Sequence, residues 1–269
     1  MTFPPSLTYL IVFIFGLILG SFFNVLIHRI PKSIQSAKKK SLFSAISFPK
    51  SYCPKCKKSL LIRHNLPIIS WLFLLGKCYF CKAKITIRYP LVELLSAFIF
   101  LFCFWQYGVT TEFFLWLIFF SILLILFFID LETFFLPDCL TIPLMLVGIL
   151  KSLLYPFPID LINAILGGLV GFFALFITNA IYKFWRGVDG FGFGDFKLLA
   201  ALGVWFGAAF IIPVIVLGAL IALLAVGLLS FVGKRLNLQT MIPFGPALIA
   251  ATIIIYLNLD ILLLTKILN

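Results

Sequence analysis

Acidic residues are scarce in this chain. Nine Asp and Glu stand among 269 residues, against twenty-one Lys and Arg. Charged side chains of both signs make up only 11%, less than half of the roughly 25% found in an ordinary globular domain. With 63% hydrophobic residues, the chain cannot clothe a water-soluble globule in polar surface, which excludes the ordinary soluble enzyme or binding module. Other absences narrow it further. No tandem repeat or low-complexity tract is present, so the chain reads as one polytopic domain with a single long hydrophilic insertion. No basic stretch precedes the first apolar run and no small-residue cleavage site follows it, so that run is expected to be a retained helix rather than a removable signal peptide. No glycine-rich nucleotide loop follows a predicted strand, so no cofactor pocket can be named from the residues alone.

What is present is apolar length. A bilayer core of about 30 Å needs about 20 apolar residues per spanning helix, and eight stretches meet or approach this. They run approximately over 7–27, 91–105, 113–129, 140–155, 161–184, 196–214, 215–232 and 242–264, with the sixth and seventh divided at the Pro213 region. The expected fold class is therefore all-α, a polytopic integral membrane protein of about eight transmembrane helices.

Charge orients these spans. Between Arg29 and Arg88 lie fourteen of the twenty-one basic residues and no acidic one. Basic residues near span ends resist translocation, so this loop is expected in the cytoplasm and the N-terminus outside. Threading the spans then puts 130–139, 183–195 and 234–240 on the cytoplasmic side, in agreement with Lys183, Arg186, Lys234 and Arg235; Lys151 and Lys266 are the exceptions. The net charge of +12 is accounted for by topology and by attraction to anionic lipid, without a nucleic-acid partner.

Within the basic loop, Cys53-Pro-Lys-Cys56 and Cys78-Tyr-Phe-Cys81 form two C-x-x-C pairs with twenty-one residues between them, close to a zinc-ribbon pattern. Two such knuckles complete a closed four-sulfur tetrahedron with no open position for chemistry. A structural Zn2+ is expected. Lys55, Lys57, Lys58, Lys77 and Lys82 favour the thiolates, and the cytoplasm keeps them reduced; a redox disulfide and unligated thiols are the rival readings. Cys103 and Cys139, in or beside apolar spans, are read as small hydrophobes.

With so few acids, each one near a span needs a reason. Asp130 ends the uninterrupted run Phe127-Phe128-Ile129, and Asp195 follows the alternating glycines of Gly190-Phe191-Gly192-Phe193-Gly194 at the mouth of another span. Two carboxyls on one membrane face can share a proton, since like charges a few ångströms apart do not both ionise. One then serves as base toward water and the other as acid toward a peptide carbonyl. Helix capping, helix–helix contact and an ion pathway remain open for the same residues. Glu132, Asp138 and Lys197 lie close enough in sequence to tune the pair, but the reading as ordinary interfacial polar residues is preferred. His28 and Arg29 are read as anchors of the first helix end.

Several blocks, in order, resemble the type IV prepilin peptidases. Gly20-Ser21-Phe22-Phe23-Asn24-Val25-Leu26-Ile27-His28-Arg29-Ile30-Pro31 is similar to the signature of that family's first helix, and Arg88-Tyr89-Pro90-Leu91-Val92-Glu93 to the segment after its second Cys pair. The stretch from Asp130 through Leu136-Pro137-Asp138 to Leu144 resembles the block of the first catalytic Asp. Gly192-Phe193-Gly194-Asp195-Phe196-Lys197 resembles the GxGD block of the second, and Ile242-Pro243-Phe244-Gly245-Pro246 also fits. The resemblance implies a cell inner-membrane aspartyl endopeptidase with Asp130 and Asp195 as catalytic pair. It further implies cleavage of the short basic leader of prepilins and pseudopilins after a Gly, then methylation of the new N-terminal residue, usually Phe, from S-adenosyl-L-methionine. The implied division is 1–28 first transmembrane helix, 29–90 Cys loop and methyltransferase region, 91–269 protease core. Two departures stand out: His64 replaces a residue that is often acidic before Asn65-Leu66-Pro67, and Asp189 stands where many relatives have Glu. Peptidase activity without methyl transfer is the near alternative. A zinc-binding membrane transporter is the distant one, and it calls for polar residues recurring at mid-membrane depth, of which the spans are nearly free.

Overall fold

The computed structural model describes residues 5–35, 52, 53, 55–59, 66–231 and 243–268. His64, Lys234, Arg235 and Ile242 lie outside the described residues, as does Lys266 with respect to its side chain. The described residues are helical apart from loops and two isolated antiparallel bridges. In chain order the helices are α1 (Pro5–Gln35), the short α2 (Ile69–Phe73), α3 (Arg88–Tyr107), α4 (Thr111–Thr133), α5 (Asp138–Leu154), α6 (Leu161–Arg186), α7 (Phe193–Phe206), α8 (Ile211–Phe231) and α9 (Gly245–Leu268).

Each of the eight expected spans coincides with a helix, and among the described residues five have the length and apolarity to cross a bilayer: Ser6–Ile34, Arg88–Tyr107, Thr111–Thr133, Leu161–Arg186 and Ala208–Ser230. The count of eight crossings is not confirmed. With 17 residues in α5 and 14 in α7, these helices reach only about 26 and 21 Å at 1.5 Å per residue, short of the roughly 30 Å core. Rather than facing lipid, α7 is buried along Asp195, Phe196 and Leu198 through Trp205. The sixth span also ends earlier than expected. Gly207, at φ 79°, stops α7, and Pro213 falls in the first turn of α8, where a missing N–H breaks no helical bond.

The chain divides into two units, Met1–Ile125 and Leu126–Asn269, so that α4 begins in one and ends in the other. In the first unit α1 packs on α3 through Gly16 and Gly20, one helical turn apart. A Cβ at either glycine would come within 2.6 Å of an α3 backbone atom, at Ala97 or Glu93. Small residues four apart permit this approach, and it lets Ser96 Oγ donate to Gly16 O at 2.8 Å and Asn24 Nδ2 to Tyr89 O at 3.0 Å. The second unit is built around α7. Gly167 and Gly171 of α6 lie against the backbone of Gly203 and Leu199, while Trp205 Nε1 donates to Leu144 O of α5 at 2.9 Å. Lys151, an exception to the charge pattern, is buried with its ammonium 5.9 Å from the Trp205 ring.

Candidate active site and metal centre

Asp130 and Asp195, sixty-five positions apart in sequence, line one cavity of about 300 Å³ in the second unit. Both are buried. Asp130 sits in the last turn of α4. The helix stops three residues later and the chain reverses through Phe134 at φ 53°, whose N–H returns to Asp130 O at 3.0 Å. Pro137 then opens α5 with extended backbone.

Asp195 is the third residue of α7. Its Oδ2 accepts from Gly192 N–H at 3.2 Å while its own N–H donates to Gly192 O at 3.0 Å. This is half a capping box, since Gly192 has no side chain to complete it. The capping reading of Asp195 is therefore correct as far as it goes, but capping does not account for a cavity shared with a second buried carboxyl.

Asp130 Oδ2 is buried; the Gly245 backbone is the polar neighbour of this carboxyl, and no hydrogen bond of good geometry reaches Oδ2 among the described residues. Buried polar atoms are nearly always paired, so a carboxyl this poorly satisfied beside the cavity is a place for a shared proton. Gly245, from the Pro-Phe-Gly-Pro block, closes over it: a Cβ there would lie 2.6 Å from Oδ2. Phe244 meanwhile packs on Phe191, ring centroids 5.2 Å apart, so both glycine-containing blocks converge at the pair.

Two of the three neighbouring polar residues belong to the same cavity. Asp138 Oδ1 accepts from Lys197 Nζ at 2.6 Å, and both line the wall. This cross-link between the starts of α5 and α7 makes them part of the site's frame, against the bland interfacial reading. Glu132 is exposed and does not line the cavity.

Sequence reasoning missed Asn179. Buried on α6, it accepts from two consecutive backbone groups, Gly190 N at 2.8 Å and Phe191 N at 3.0 Å, and donates to Asp189 Oδ1 at 3.0 Å. Lys183 donates to the other Asp189 oxygen at 2.9 Å. Hydrogen bonds from Lys183 first, then Asn179, hold the Asp189 carboxyl below its usual range despite some desolvation. This clamp shapes the loop that delivers Gly192 and Asp195. A signal was available: an Asn inside an apolar span demands a partner.

In the first unit the two C-x-x-C segments fold as near-copies. Cys53 N donates to Lys58 O and Lys57 N to Cys53 O; Cys78 N donates to Ala83 O and Lys82 N to Cys78 O. Lys57 and Lys82 take the same left-handed backbone, φ 57° and 54°. The sulfurs of Cys53, Cys56, Cys78 and Cys81 all lie within 4.8 Å of one another. A tetrahedral Zn–S bond of about 2.3 Å gives a sulfur–sulfur edge of about 3.8 Å, and Cys53 Sγ to Cys81 Sγ is 3.8 Å. Although desolvation opposes it, hydrogen bonds from Cys56, Lys55 and Cys78 lower the Cys53 thiol to about 7, while Cys81 rises to about 11. Metal-free, such a cluster retains protons that a bound cation would displace. The cluster can hold a metal ion. Cys103 is buried without such a cluster and Cys139 is half-buried.

Glu93 and Asn24, from the two motifs that flank the Cys loop, act within this unit. Glu93 Oε2 accepts from Ile68 N at 2.7 Å, and Asn24 holds the start of α3. His28 lies 2.7 Å from Lys32 near the end of α1, which runs on through Pro31 to Gln35.

Residues 14–107 match the bacterial peptidase A24 N-terminal domain, and 117–228 the type IV leader peptidase family. Prepilin leader peptidase/N-methyltransferase of Neisseria gonorrhoeae is 38% identical over 257 residues, 90% of this chain and 88% of the relative. That of Aeromonas hydrophila is 37% identical over 262, covering 92% and 89%, and that of Klebsiella pneumoniae 40% over 195, covering 72% and 83%. No solved structure shows a significant match. With nearly its whole length matched, this multi-pass membrane protein belongs to the type IV leader peptidase family.

Proposed function

We propose that this chain is a prepilin leader peptidase and N-methyltransferase whose Asp130 and Asp195 form the peptidase pair. The observation that carries the assignment is the cavity lined by both buried aspartates. One carboxylate takes a proton from a water whose oxygen attacks the scissile carbonyl. The other, protonated, donates a hydrogen bond to the developing oxyanion; when the C–N bond breaks, a proton passes to the leaving amine. Asp138 and Lys197 keep the two helix starts in register.

The substrates are prepilins and pseudopilins with a basic leader and an apolar first helix. The enzyme acts in the bacterial inner membrane, with its N-terminus outside and the aspartates at the cytoplasmic face. That geometry is economical, because a basic leader stays cytoplasmic while the apolar segment enters the bilayer, leaving the scissile bond at the inner surface. The methyl donor is S-adenosyl-L-methionine, which supplies an electrophilic methyl to the new α-amine; the region 29–90 is assigned to that half-reaction and 91–269 to proteolysis. Cys53, Cys56, Cys78 and Cys81 hold a structural Zn2+, supported by their sulfur spacing.

The test is leader removal from a prepilin by membranes carrying wild type, Asp130→Ala or Asp195→Ala at matched expression. Loss of cleavage in both variants is expected; undiminished cleavage by either well-folded variant removes that residue from the site.

A further inference from the structure

Among the described residues, the Cys module carries an exposed apolar face. Leu66, Ile69 and Phe73 follow one side of α2 at helical spacing, joined by Leu72 and, in the following turn, Leu75. All five are exposed, Phe73 by 85% and Leu75 by 81%. Trp71 points the other way. It packs against Gly76 and donates from Nε1 to Ile85 O at 3.3 Å, so the segment is folded and amphipathic. A cluster of large exposed side chains is not ordinary loop composition and marks an interaction surface.

Its depth relative to the bilayer follows from one bond. With 20 residues, α3 is about 30 Å long, the thickness of the hydrocarbon core, so Arg88 lies near the core's edge. Glu93 stands five residues further, about 7 Å along the axis. Since Glu93 Oε2 accepts from Ile68 N at 2.7 Å, the start of α2 is held at the level of the second turn of a membrane-crossing helix. Ile68 takes φ 58° in doing so, a backbone region that β-branched residues rarely adopt. Interfacial helices seat their apolar face about 5–10 Å into the headgroup boundary, the same depth. Charge agrees: Lys55, Lys57, Lys58, Lys77, Lys82 and Lys84 are all exposed on the module, and a lysine near an anionic surface contributes about 1 kcal/mol.

We propose that the Cys module is a membrane-seated element, with Leu66, Ile69, Leu72, Phe73 and Leu75 in the lipid interface beside the start of α3 and its lysines on anionic headgroups. The Cys cluster then stands at the bilayer surface rather than free in water. The inference needs α3 to cross the membrane and is independent of the assigned chemistry.

The test uses full-length protein in vesicles of phosphatidylcholine with or without phosphatidylglycerol. p-Acetylphenylalanine at position 73 or, separately, 75 carries a nitroxide, leaving the cysteines untouched, and power saturation compares oxygen with a water-soluble nickel chelate. Both sites should favour oxygen, like a reference label at the exposed Phe98 of α3 and opposite to one at Lys82. The excess should shrink in phosphatidylcholine alone. Nickel access at 73 and 75 matching that at 82 overturns the proposal, as does shielding from both reagents, which would mean a protein partner covers the face. An oxygen excess independent of phosphatidylglycerol removes the lysine contribution.

Discussion

Gly245→Ala separates catalysis from stability. The added methyl would sit 2.6 Å from Asp130 Oδ2, whereas even close C–H···O contacts keep carbon and oxygen at least about 3.3 Å apart. The carboxyl must therefore retreat by about 0.7 Å. What yields is the end of a side chain, not backbone, and Gly245 opens α9 without a left-handed φ, so folding should be nearly unaffected. Catalysis is less forgiving: misplacing a reacting group by about 1 Å costs on the order of 100-fold. We expect leader cleavage to fall roughly 10- to 100-fold, about 1.4–2.7 kcal/mol in the barrier, with an unchanged melting curve. Gly227→Ala, whose Cβ meets nothing within 4 Å, is the control. The assay is the initial rate of leader removal from a reconstituted prepilin. Wild-type activity in a well-folded Gly245→Ala enzyme would refute the placement of Asp130 as a reacting group, and an equal loss in Gly227→Ala would refute the local explanation.

Asn179→Ala should strand the N–H groups of Gly190 and Phe191, cost about 1–3 kcal/mol of local order and lower kcat more than it raises KM. Asn179→Asp keeps the acceptor but faces Asp189; combining it with Asp189→Asn restores a donor–acceptor pair, and the recovered rate in a double-mutant cycle measures the clamp. Because Lys183 and Asn179 depress the Asp189 pKa, its contribution is complete above the unfolded value and is lost only as pH falls through the lower folded value. Cleavage measured at pH 5 and above should therefore show no transition that Asp189→Asn abolishes. Cys78→Ser should lose bound zinc by elemental analysis and lower the melting temperature while impairing methyl transfer more than cleavage, because the peptidase cavity is built from 130–197.

Much was legible in the residues. Membrane helices declare themselves because hydrocarbon leaves few alternatives to long apolar runs, and the two C-x-x-C knuckles because a tetrahedral metal needs four sulfurs at short loop spacing. Asp130 and Asp195 were conspicuous because charge is costly in a span. Their partnership was not decided locally. It depends on the reversal at Phe134, on Asn179 holding the loop before Gly192, and on Gly245 arriving from a helix fifty residues beyond Asp195. Apolar length likewise proposed eight crossings but did not show that α7 is a short helix buried among its neighbours, with Gly207 rather than Pro213 ending it. Composition is sufficient to state which solvent a segment prefers, since transfer energy is summed residue by residue. Which two carboxyls line one cavity and which glycine lies against an oxygen are set by packing between segments distant in sequence, and only the tertiary structure decides them.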